Sequence, residues 1–365
     1  MVKKVKVNNM VIIHVANIDP SIIGGVQMAV PKMIEEQSKY AEVAMININR
    51  KKLININMLE FDNQFEIIQF KEPFNRPDLI VFHEIYRFDY IHMYKKIVQA
   101  KIPYVIIPHG SLTQTAQKKK FIKKLVANLM YFNGFIKHSS VIQYLSSNEQ
   151  QTSIFKRHPS LVLGNGVMAP RRIKTSFSKG KINFTYIGRL DIKIKGLDLL
   201  ILAFKHSQEL LRKTNAKLNL YGPDYNNSHR KLQAIIDKLE ISDIVKVHKE
   251  VLGIEKEEIL LKTDCFIQTS RSEGMPLGPL EALSYGVPCI VTDGVGLGND
   301  IAFANAGFKC ATNVIDIIKA LNQFINDYGN IEVMSHCARI LIQNKYDLRM
   351  IAKKSIDSYR ELINK

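Results

Sequence analysis

The sequence contains no tryptophan, only four cysteines and no long apolar run. A membrane-spanning helix needs about 18 or more consecutive apolar residues, and no stretch approaches that length, so we expect a protein that is soluble or lies on a membrane surface. The cysteines are spaced too widely for a C-x-x-C pair, which disfavours structural zinc and favours a reduced, cytosolic chain. They are Cys265, Cys289, Cys310 and Cys337.

Acidic residues are missing from one long region. None occurs between Asp89 and Glu149, although the same region holds nine lysines, and the formal net charge of the chain is +17. A region whose charged side chains are all positive attracts an anionic partner such as nucleic acid, an acidic lipid surface or a phosphorylated substrate. The alternative is that lysine is simply abundant in this chain. That explains the overall charge better than it explains the gap in acids.

Short runs rich in valine and isoleucine alternate with helical patterns along the chain. This pattern is typical of parallel sheets covered by helices on both faces. The predicted strands are Val11–Ala16, Val43–Ile46, Leu79–Phe82, Tyr104–Ile107, Val141–Leu145, Leu161–Leu163, Ile182–Ile187, Leu218–Tyr221, Val245–Val247, Cys265–Gln268 and Cys289–Thr292.

The length of 365 residues favours two domains with a cleft between them. Residues 168–181 break the pattern with proline, serine, glycine and five basic residues, and we interpret them as a linker. The fold class is therefore α/β, with two doubly wound Rossmann-like domains over residues 1–168 and 169–345.

The loop after Ile182–Ile187 is rich in cations. It runs from Gly188 to Gly196 and contains Arg189, Lys193 and Lys195. A guanidinium and an ammonium fixed at a strand end can share the charge of a diphosphate, and open parallel sheets bind ligands at the carboxyl ends of their strands. An exposed basic loop is the alternative interpretation of this segment taken alone.

The loop after Cys265–Gln268 combines two carboxylates with a helix start. Residues 270–283 read SRSEGMPLGPLEAL, in which glycines and prolines shape a tight turn. The N–H groups of such a turn form an anion site, and Glu273 and Glu281 bracket it. A carboxylate there can accept hydrogen bonds from two sugar hydroxyls together.

These residues carry a family resemblance over nearly the whole chain. The sequence resembles a bacterial family 4 glycosyltransferase, a retaining enzyme with the GT-B fold. The matching features are Gly24-Gly25 after the first strand, His109-Gly110 after a later one, Asn165-Gly166-Val167 at the domain boundary, Gly188-Arg189 with Lys195-Gly196, and the E-x7-E element of Glu273 and Glu281.

The resemblance implies a role for each matched position. Arg189 and Lys195 would clasp the diphosphate of a nucleotide-sugar, supported by the backbone of Gly274, Met275, Pro276, Leu277 and Gly278 and approached by Gly24 and Gly25. Glu281 would hold the ribose, Glu273 would face the transferred sugar, and His109 would contact the sugar or the oxygen where charge develops. The spacing from Arg189 to Lys195 is one residue longer than is usual, so Lys193 could take the place of Lys195. The family also implies a final helix, residues 346–365, that crosses back to the N-terminal domain.

No metal or other cofactor is expected. The sequence has no Asp-x-Asp pair, and fixed cations with a helix N-terminus can stabilise the charge that develops on a leaving phosphate. The nucleotide-sugar is then a substrate, and Glu273, His109, Arg189 and Lys195 are the candidate catalytic residues.

An amphipathic helix is predicted from Gln117 to Phe132. Its apolar side includes Phe121 and Leu125, and its other side carries Lys119, Lys120, Lys123 and Lys124. This arrangement is typical of a helix at a membrane interface. A helix packed on the core with solvated lysines fits the same pattern.

The sequence thus predicts a glycosyltransferase that moves a hexose from a nucleotide-sugar, expected to be UDP-linked, to a growing and lipid-linked surface glycan. We expect it in the cytoplasm, on the inner face of the membrane and attracted to anionic lipid. A sugar-nucleotide epimerase of the same fold is the first alternative. A nucleic-acid-binding protein is disfavoured because no reading motif occurs.

Overall fold

The computed structural model describes residues 10–60, 65–118, 120–177 and 180–364, and the chain divides into two compact units. The first unit takes the chain up to Gly166 together with the segment from Leu348 onward, and the second is Val167–Asp347. Sequence analysis placed the boundaries after residues 168 and 345.

In the described part of the first unit, seven parallel strands form one sheet in the order β3-β2-β1-β4-β5-β6-β7. The strands are β1 Val11–Ala16, β2 Glu42–Asn47, β3 Met58–Leu59, β4 Leu79–His83, β5 Tyr104–Ile107, β6 Val141–Tyr144 and β7 Ser160–Val162. The helices are α1 Gly25–Gln37, α2 Phe88–Gln99, α3 Gln114–Lys118, α4 Phe121–Ala127, α5 Asn133–Lys137, α6 Ser147–Thr152 and α15 Leu348–Ile363, with a 3₁₀ turn at Ile67–Gln69 and a π-helical turn at Asn128–Phe132.

The described part of the second unit contains a six-stranded parallel sheet in the order β10-β9-β8-β11-β12-β13. The strands are β8 Ile182–Ile187, β9 Ala216–Tyr221, β10 Val245–His248, β11 Cys265–Gln268, β12 Cys289–Thr292 and β13 Gly307–Cys310. The helices are α7 Leu197–His206, α8 Gln208–Lys213, α9 Ser228–Lys238, α10 Gly253–Lys262, α11 Leu277–Ser284, α12 Gly298–Phe303, α13 Val314–Asn326 and α14 Ile331–Leu341, with a 3₁₀ turn at Tyr328–Asn330 and a π-helical turn at Ile342–Tyr346.

The predicted fold class, two doubly wound Rossmann-like α/β units, is confirmed. Strands β1 and β11 are buried along their whole length, which is why the sequence reads as continuous apolar runs there. Strands β3 and β13 were not predicted, because β3 has two residues and β13 is a partly exposed edge strand that contains Gly307 and Lys309.

The strand order fixes where a ligand site is expected. In each sheet the order reverses between two adjacent strands, β1 and β4 in the first and β8 and β11 in the second. Loops that leave the carboxyl ends of such a strand pair open a crevice in which this class of sheet binds its ligands. The loops after β1, β8 and β11 carry the glycines, cations and carboxylates singled out in the sequence.

The final helix, α15, packs against the first unit. Gln37 Nε2 donates to Ser355 Oγ at 2.7 Å, and the Tyr359 hydroxyl donates to Gln143 Oε1 at 2.6 Å. Both contacts are buried, so the last helix of the chain is part of the core that supports α1 and β6.

Candidate functional site

The loop after β8 holds two cations in different environments. The Arg189 side chain is 45% exposed, with its guanidinium carbon 4.8 Å from the centre of the Tyr225 ring and Nη2 3.9 Å from Asp191 Oδ2. Lys195 is turned inward and is only 15% exposed. Lys193 is exposed, so of the two lysines Lys195 is the one fixed within the loop.

Lys195 forms an ion pair with Glu273 of the loop after β11. Both side chains are mostly covered. The backbone of Glu273 is also held: its N–H donates to Gly294 O at 2.6 Å, and its carbonyl accepts from Gly296 N–H at 3.3 Å. The structure therefore brings together a candidate phosphate-binding cation and a candidate sugar-binding carboxylate.

The loops after β8 and β11 are held together by hydrogen bonds. Arg271 N–H donates to Ile194 O at 2.8 Å, and the Arg271 guanidinium binds Asp198 through two hydrogen bonds of 2.7 and 2.9 Å. Gly196 has φ +64°, and a Cβ there would lie 2.0 Å from Thr269 O. Only glycine fits this close approach, which explains the glycine in the basic loop.

Helix α11 begins at the turn predicted to bind an anion. Its N-cap residue, Pro276, provides no side-chain hydrogen bond to the first turn, and a helix N-terminus favours an anion. A Cβ at Gly278 would lie 2.9 Å from the Phe266 ring and 3.1 Å from Ile187 O. The glycine therefore lets the start of α11 lie against the ends of β8 and β11.

Glu281 lies on α11 and forms an ion pair with Lys256 of α10. Their side chains are 18% and 17% exposed, respectively. The sequence does not single out Lys256, because it lies in the ordinary charged run Glu255 to Glu258 and nothing in that run indicates which residue faces α11. Both predicted glutamates thus have a lysine partner from another element.

In the first unit, His109 follows β5 in a left-handed backbone conformation. Its φ is +49° and that of Gly110 is +83°. The Gly110 N–H donates to Glu149 Oε1, and the second oxygen of that carboxylate accepts from Leu145 N–H at 2.8 Å. Glu149 is buried, and burial raises the pKa of its carboxyl despite these two hydrogen bonds. Glu149 therefore fixes the turn that carries His109 through its hydrogen bond with Gly110 N–H.

Sequence analysis treated Glu149 only as the end of the acid-free region. A usable signal was present: Ser146 and Glu149 have the spacing of a helix capping box. Ser146 Oγ accepts from Glu149 N–H at 3.1 Å at the start of α6. The capping role is local, but the bond to Gly110 spans 39 residues, and no local pattern predicts it.

His109 is the end of a row of three histidines. Its Nε2 lies 3.1 Å from His83 Nδ1, and His83 Nε2 lies 2.9 Å from His14 Nδ1. Burial lowers the pKa of His109 to about 4 and that of His14 to about 3, and lowers the pKa of His83 well below its usual value. All three rings are therefore neutral near pH 7.

Gly24 and Gly25 lie where α1 begins after β1. Gly24 is the N-cap residue and Gly25 the first helical residue. Apart from chain neighbours and the backbone of α1, no heavy atom of the described residues lies within 4 Å of the place where a Cβ of Gly25 would be, and the nearest to one on Gly24 is Gln27 Cγ at 3.5 Å. Packing among the described residues therefore does not require glycine at either position.

The predicted helix from Gln117 to Phe132 is not continuous. Helix α3 ends at Lys118, Lys120 has φ +53°, α4 begins at Phe121, and a π-helical turn follows from Asn128 to Phe132. Lys119 lies outside the described residues. A π-helical turn has more residues per turn than an α-helix, so the predicted periodicity is lost.

The same segment exposes its apolar side chains. Phe121 is 58% exposed and Ile122 74%, and Leu125, Val126, Leu129, Met130 and Tyr131 are also exposed. Phe132, the last residue of the π-helical turn, is buried. The packed-helix interpretation is therefore wrong for the apolar residues of α4.

The lysines of this segment do not all face water. Lys120 and Lys123 are exposed, but Lys124 Nζ donates to Ala116 O at 2.5 Å and lies 5.3 Å from the centre of the Tyr86 ring. Placing Lys124 on a solvated basic face was wrong, because α3 offers it the Ala116 carbonyl and the loop between β4 and α2 offers it the Tyr86 ring.

Among the described residues, no helix is long and apolar enough to cross a membrane. In the same part of the chain, no three His, Cys, Asp or Glu side chains are grouped as metal ligands would be.

The fold and the comparisons with known proteins agree. The chain has the GT-B fold, and residues 169–341 match the family model described as "Glycosyl transferases group 1". This match covers just under half of the chain, and it agrees with the resemblance seen in the sequence. It contains Arg189, Lys195, Glu273 and Glu281.

Relatives match over short segments. An uncharacterized glycosyltransferase of Methanocaldococcus jannaschii is 37% identical over 117 residues, which are 32% of this chain and 27% of that protein. The UDP-Gal:alpha-D-GlcNAc-diphosphoundecaprenol alpha-1,3-galactosyltransferase of Escherichia coli is 36% identical over 108 residues, 29% of this chain and 27% of that protein. The matches thus span about a quarter of each relative.

Solved structures match over the whole chain. Sucrose-phosphate synthase from Thermosynechococcus elongatus has a TM-score of 0.77 at 14% identity, covering 97% of this chain and 99% of that one. The Anabaena protein HepE in complex with UDP has a TM-score of 0.74 at 17% identity, covering 96% and 100%. At these identities the likeness establishes the fold.

Proposed function

We propose that this chain is a retaining, metal-independent hexosyltransferase that moves a sugar from UDP to a growing, lipid-linked glycan. The observation that carries the proposal is the pairing of Lys195 with Glu273 at the carboxyl ends of adjacent strands β8 and β11. It lies inside the segment that matches the glycosyltransferase family. Arg189 follows the same strand as Lys195.

The arrangement suits the departure of a nucleotide diphosphate. Breaking the bond from the anomeric carbon to the diphosphate develops negative charge on phosphate oxygens. Arg189, Lys195 and the N-terminus of α11 are fixed by the loops that carry them, so they stabilise that charge without reorganising. These groups would do the work that a divalent ion does in other transferases, with retention arising from attack of the acceptor on the face the diphosphate leaves.

The carboxylates are assigned to the sugars of the donor. Glu281 would accept from both ribose hydroxyls, as a carboxylate with two oxygens can, and its ion pair with Lys256 would orient it. Glu273 would face the transferred hexose. His109 of the first unit is assigned to the sugar as well, and Gly24 and Gly25 to close approach of a backbone to phosphate.

Donor and acceptor classes rest on the relatives. The structure of Anabaena HepE contains UDP, and the Escherichia coli relative is named for a UDP-galactose donor and a diphosphoundecaprenol-linked acceptor. We extend both to this chain as part of the proposal.

The exposed face of α4 supports work at a membrane surface. Phe121 and Leu125 are exposed there next to Lys120 and Lys123. Apolar side chains inserted among lipid headgroups, with lysines near anionic lipid at about 1 kcal/mol each, are a common means of interfacial binding. An enzyme acting on a lipid-linked acceptor at the inner face of the membrane would gain access to it this way.

The test is a transfer assay with a ligand screen. Thermal shifts with UDP, GDP, ADP and their hexoses should identify the base, since a ligand at 100 times its dissociation constant adds about 2.7 kcal/mol of stability. Transfer from the selected donor to polyprenyl-diphosphate glycans should then be measured with and without EDTA. We expect UDP stabilisation and transfer that EDTA leaves intact.

Three outcomes would contradict parts of the proposal. A requirement for Mg²⁺ or Mn²⁺ would refute the fixed-cation mechanism. Donor consumption that yields only an epimerised sugar-nucleotide, with no sugar on any acceptor, would favour an epimerase. Tight binding of random DNA at physiological salt would return nucleic acid to consideration.

A further inference from the structure

A continuous line of side chains in the first unit ends at His109. His109 Nε2 lies 3.1 Å from His83 Nδ1, and His83 Nε2 lies 2.9 Å from His14 Nδ1. His83 therefore uses both of its ring nitrogens on other imidazoles. The ring centroids are 5.2 Å apart for His14 and His83 and 5.4 Å apart for His83 and His109.

The far end of the line is anchored on α15. His14 Nε2 and Gln37 Oε1 are both buried, and neither has a hydrogen-bond partner within the described part of the chain. Gln37 is also the neighbouring side chain that raises the pKa of His14 against the larger lowering caused by burial. Gln37 Nε2 donates to Ser355 Oγ at 2.7 Å, and the Ser355 hydroxyl donates to Ala352 O at 2.6 Å.

This anchor sets the direction of every bond in the line. A backbone carbonyl only accepts, so the Ser355 proton points at Ala352 and Ser355 Oγ must accept from the amide of Gln37. An amide oxygen only accepts, so the two unpartnered atoms are satisfied together when His14 Nε2 carries the proton and donates it to Gln37 Oε1. A neutral imidazole has one donor and one acceptor nitrogen, so His14 Nδ1 must accept from His83.

The same rule of one donor and one acceptor nitrogen per neutral ring fixes the direction of the hydrogen bond to His109. His83 donates through Nε2, so its Nδ1 accepts, and the proton between His83 and His109 belongs to His109 Nε2. His109 Nδ1 then has a lone pair and no proton.

We propose that His83 and His14 are positioning residues that hold His109 as the Nε2–H tautomer, so that His109 Nδ1 presents a hydrogen-bond acceptor to a sugar hydroxyl. The inference rests on the proposed function, in which His109 contacts the sugar. It also separates two roles that the sequence left open. An unprotonated Nδ1 accepts from a hydroxyl and cannot donate to an oxygen that is becoming negative.

The neutral state of the three rings supports the ordering. Burial lowers the pKa of His14 to about 3, that of His109 to about 4 and that of His83 well below its usual value. The two imidazole neighbours of His83 lower its pKa as well. Near pH 7 each ring therefore carries one proton, which is the condition under which one donor and one acceptor per ring define a direction.

The direct test is the protonation of each ring nitrogen, read from long-range ¹H–¹⁵N correlation spectra of histidine-labelled protein at pH 7.5. His14, His83 and His109 should each show a protonated Nε2 and a bare Nδ1. A proton on Nδ1 of His109 in the unmodified protein would overturn the proposal. This readout does not depend on transfer activity, so it fails or succeeds separately from the proposed function.

Variants test whether the line causes the tautomer. His83→Phe keeps a flat ring but removes both nitrogens, and His109 should then show a mixture of tautomers. His83→Asn places an amide oxygen near the position of Nδ1 and should preserve the Nε2–H form. An unchanged His109 spectrum in His83→Phe would overturn the causal role.

A milder variant covers the case in which His83→Phe does not fold. Ser355→Ala removes the acceptor that orients Gln37, so the amide can turn over and His109 should again become mixed. Ser335→Ala, a buried serine of the second unit, is the matched control and should leave the His109 signals unchanged. Identical His109 spectra in the two serine variants would contradict the anchoring by α15.

Kinetics give a second readout. Because His83 fixes the tautomer of His109, which acts on the reacting sugar, His83→Phe should lower kcat by about tenfold or more. The dissociation constant for UDP should stay within about twofold of the unmodified value. His83→Asn should recover most of the loss. A loss of UDP affinity with kcat unchanged would instead indicate a general structural defect.

Discussion

Lys195 and Glu273, 78 residues apart in sequence, form an ion pair at the ends of neighbouring strands. Each of them is assigned to a different part of the donor, the lysine to phosphate and the carboxylate to the transferred sugar. A diphosphate approaching Lys195 would compete with Glu273 for the ammonium protons. The proposed roles therefore predict that donor binding and the orientation of Glu273 are coupled through this contact.

The first prediction concerns the diphosphate. Arg189→Ala should weaken UDP binding by about 2 to 4 kcal/mol, the range for truncating one partner of a charge pair that the ligand covers. Isothermal titration with UDP measures this. Lys193→Ala is the matched control, because Lys193 is exposed in the same loop, and it should bind UDP normally. Equal losses in Lys193→Ala and Lys195→Ala would mean that Lys193 also reaches the phosphates.

The second prediction separates the two glutamates. Glu281→Gln should raise the dissociation constant for UDP with little change in kcat, since a ribose contact is made equally in the ground and transition states. Glu273→Gln should mainly lower kcat. Steady-state kinetics together with UDP titration distinguish the two patterns, and the reverse pattern would exchange the assigned roles.

The third prediction is acid sensitivity of the first unit. The histidines of the row stay neutral when folded, with pKa values of about 3 for His14 and about 4 for His109, whereas unfolded histidine titrates near 6.5. As pH falls below 6.5 the unfolded chain binds protons that the folded chain does not. The free energy of unfolding should therefore decrease by about 1.4 kcal/mol per pH unit for each such histidine.

Urea titrations from pH 7.5 to 5 measure this slope. The loss begins as pH falls through the unfolded value near 6.5 and continues toward the folded values. His83→Phe should reduce the slope by the contribution of one histidine, about 1.4 kcal/mol per pH unit. His92→Gln, which changes an exposed histidine, should change the slope little. Stability that is flat over this range would contradict the neutral row.

The fourth prediction is binding to anionic membranes through α4. Liposome co-sedimentation should require anionic lipid and weaken as salt shortens the screening length to about 8 Å. Lys120→Gln with Lys123→Gln should reduce binding by roughly tenfold or more, at about 1 kcal/mol per lysine, and Phe121→Ser should reduce it further.

The control for that experiment lies on α15. Lys353 and Lys354 are an adjacent exposed pair of the same charge, and changing both to glutamine should affect binding much less. If the two pairs behave alike, the attraction reflects net charge alone and α4 has no special part in it.

Local patterns in the sequence were enough to predict the architecture. Five of the predicted strands, such as Tyr104–Ile107 and Cys265–Gln268, have the bounds found in the structure. A strand buried on both faces must be apolar at every position, and the loop that follows it must provide any ligand-binding groups, so both are visible in one stretch of chain. The candidate loops with Arg189, Glu273 and His109 were found in this way.

Only the tertiary structure decided which of these groups meet. The pairing of Glu281 with Lys256, the bond from Gly110 to Glu149 and the row from His14 to His109 join residues on different elements. Such contacts depend on strand order and on which face of a helix packs inward, and periodicity specifies neither the partner nor the distance. The exposed apolar side of α4 was equally hidden, because an amphipathic pattern reads the same whether its apolar face is covered by the core or left open to a surface outside the protein.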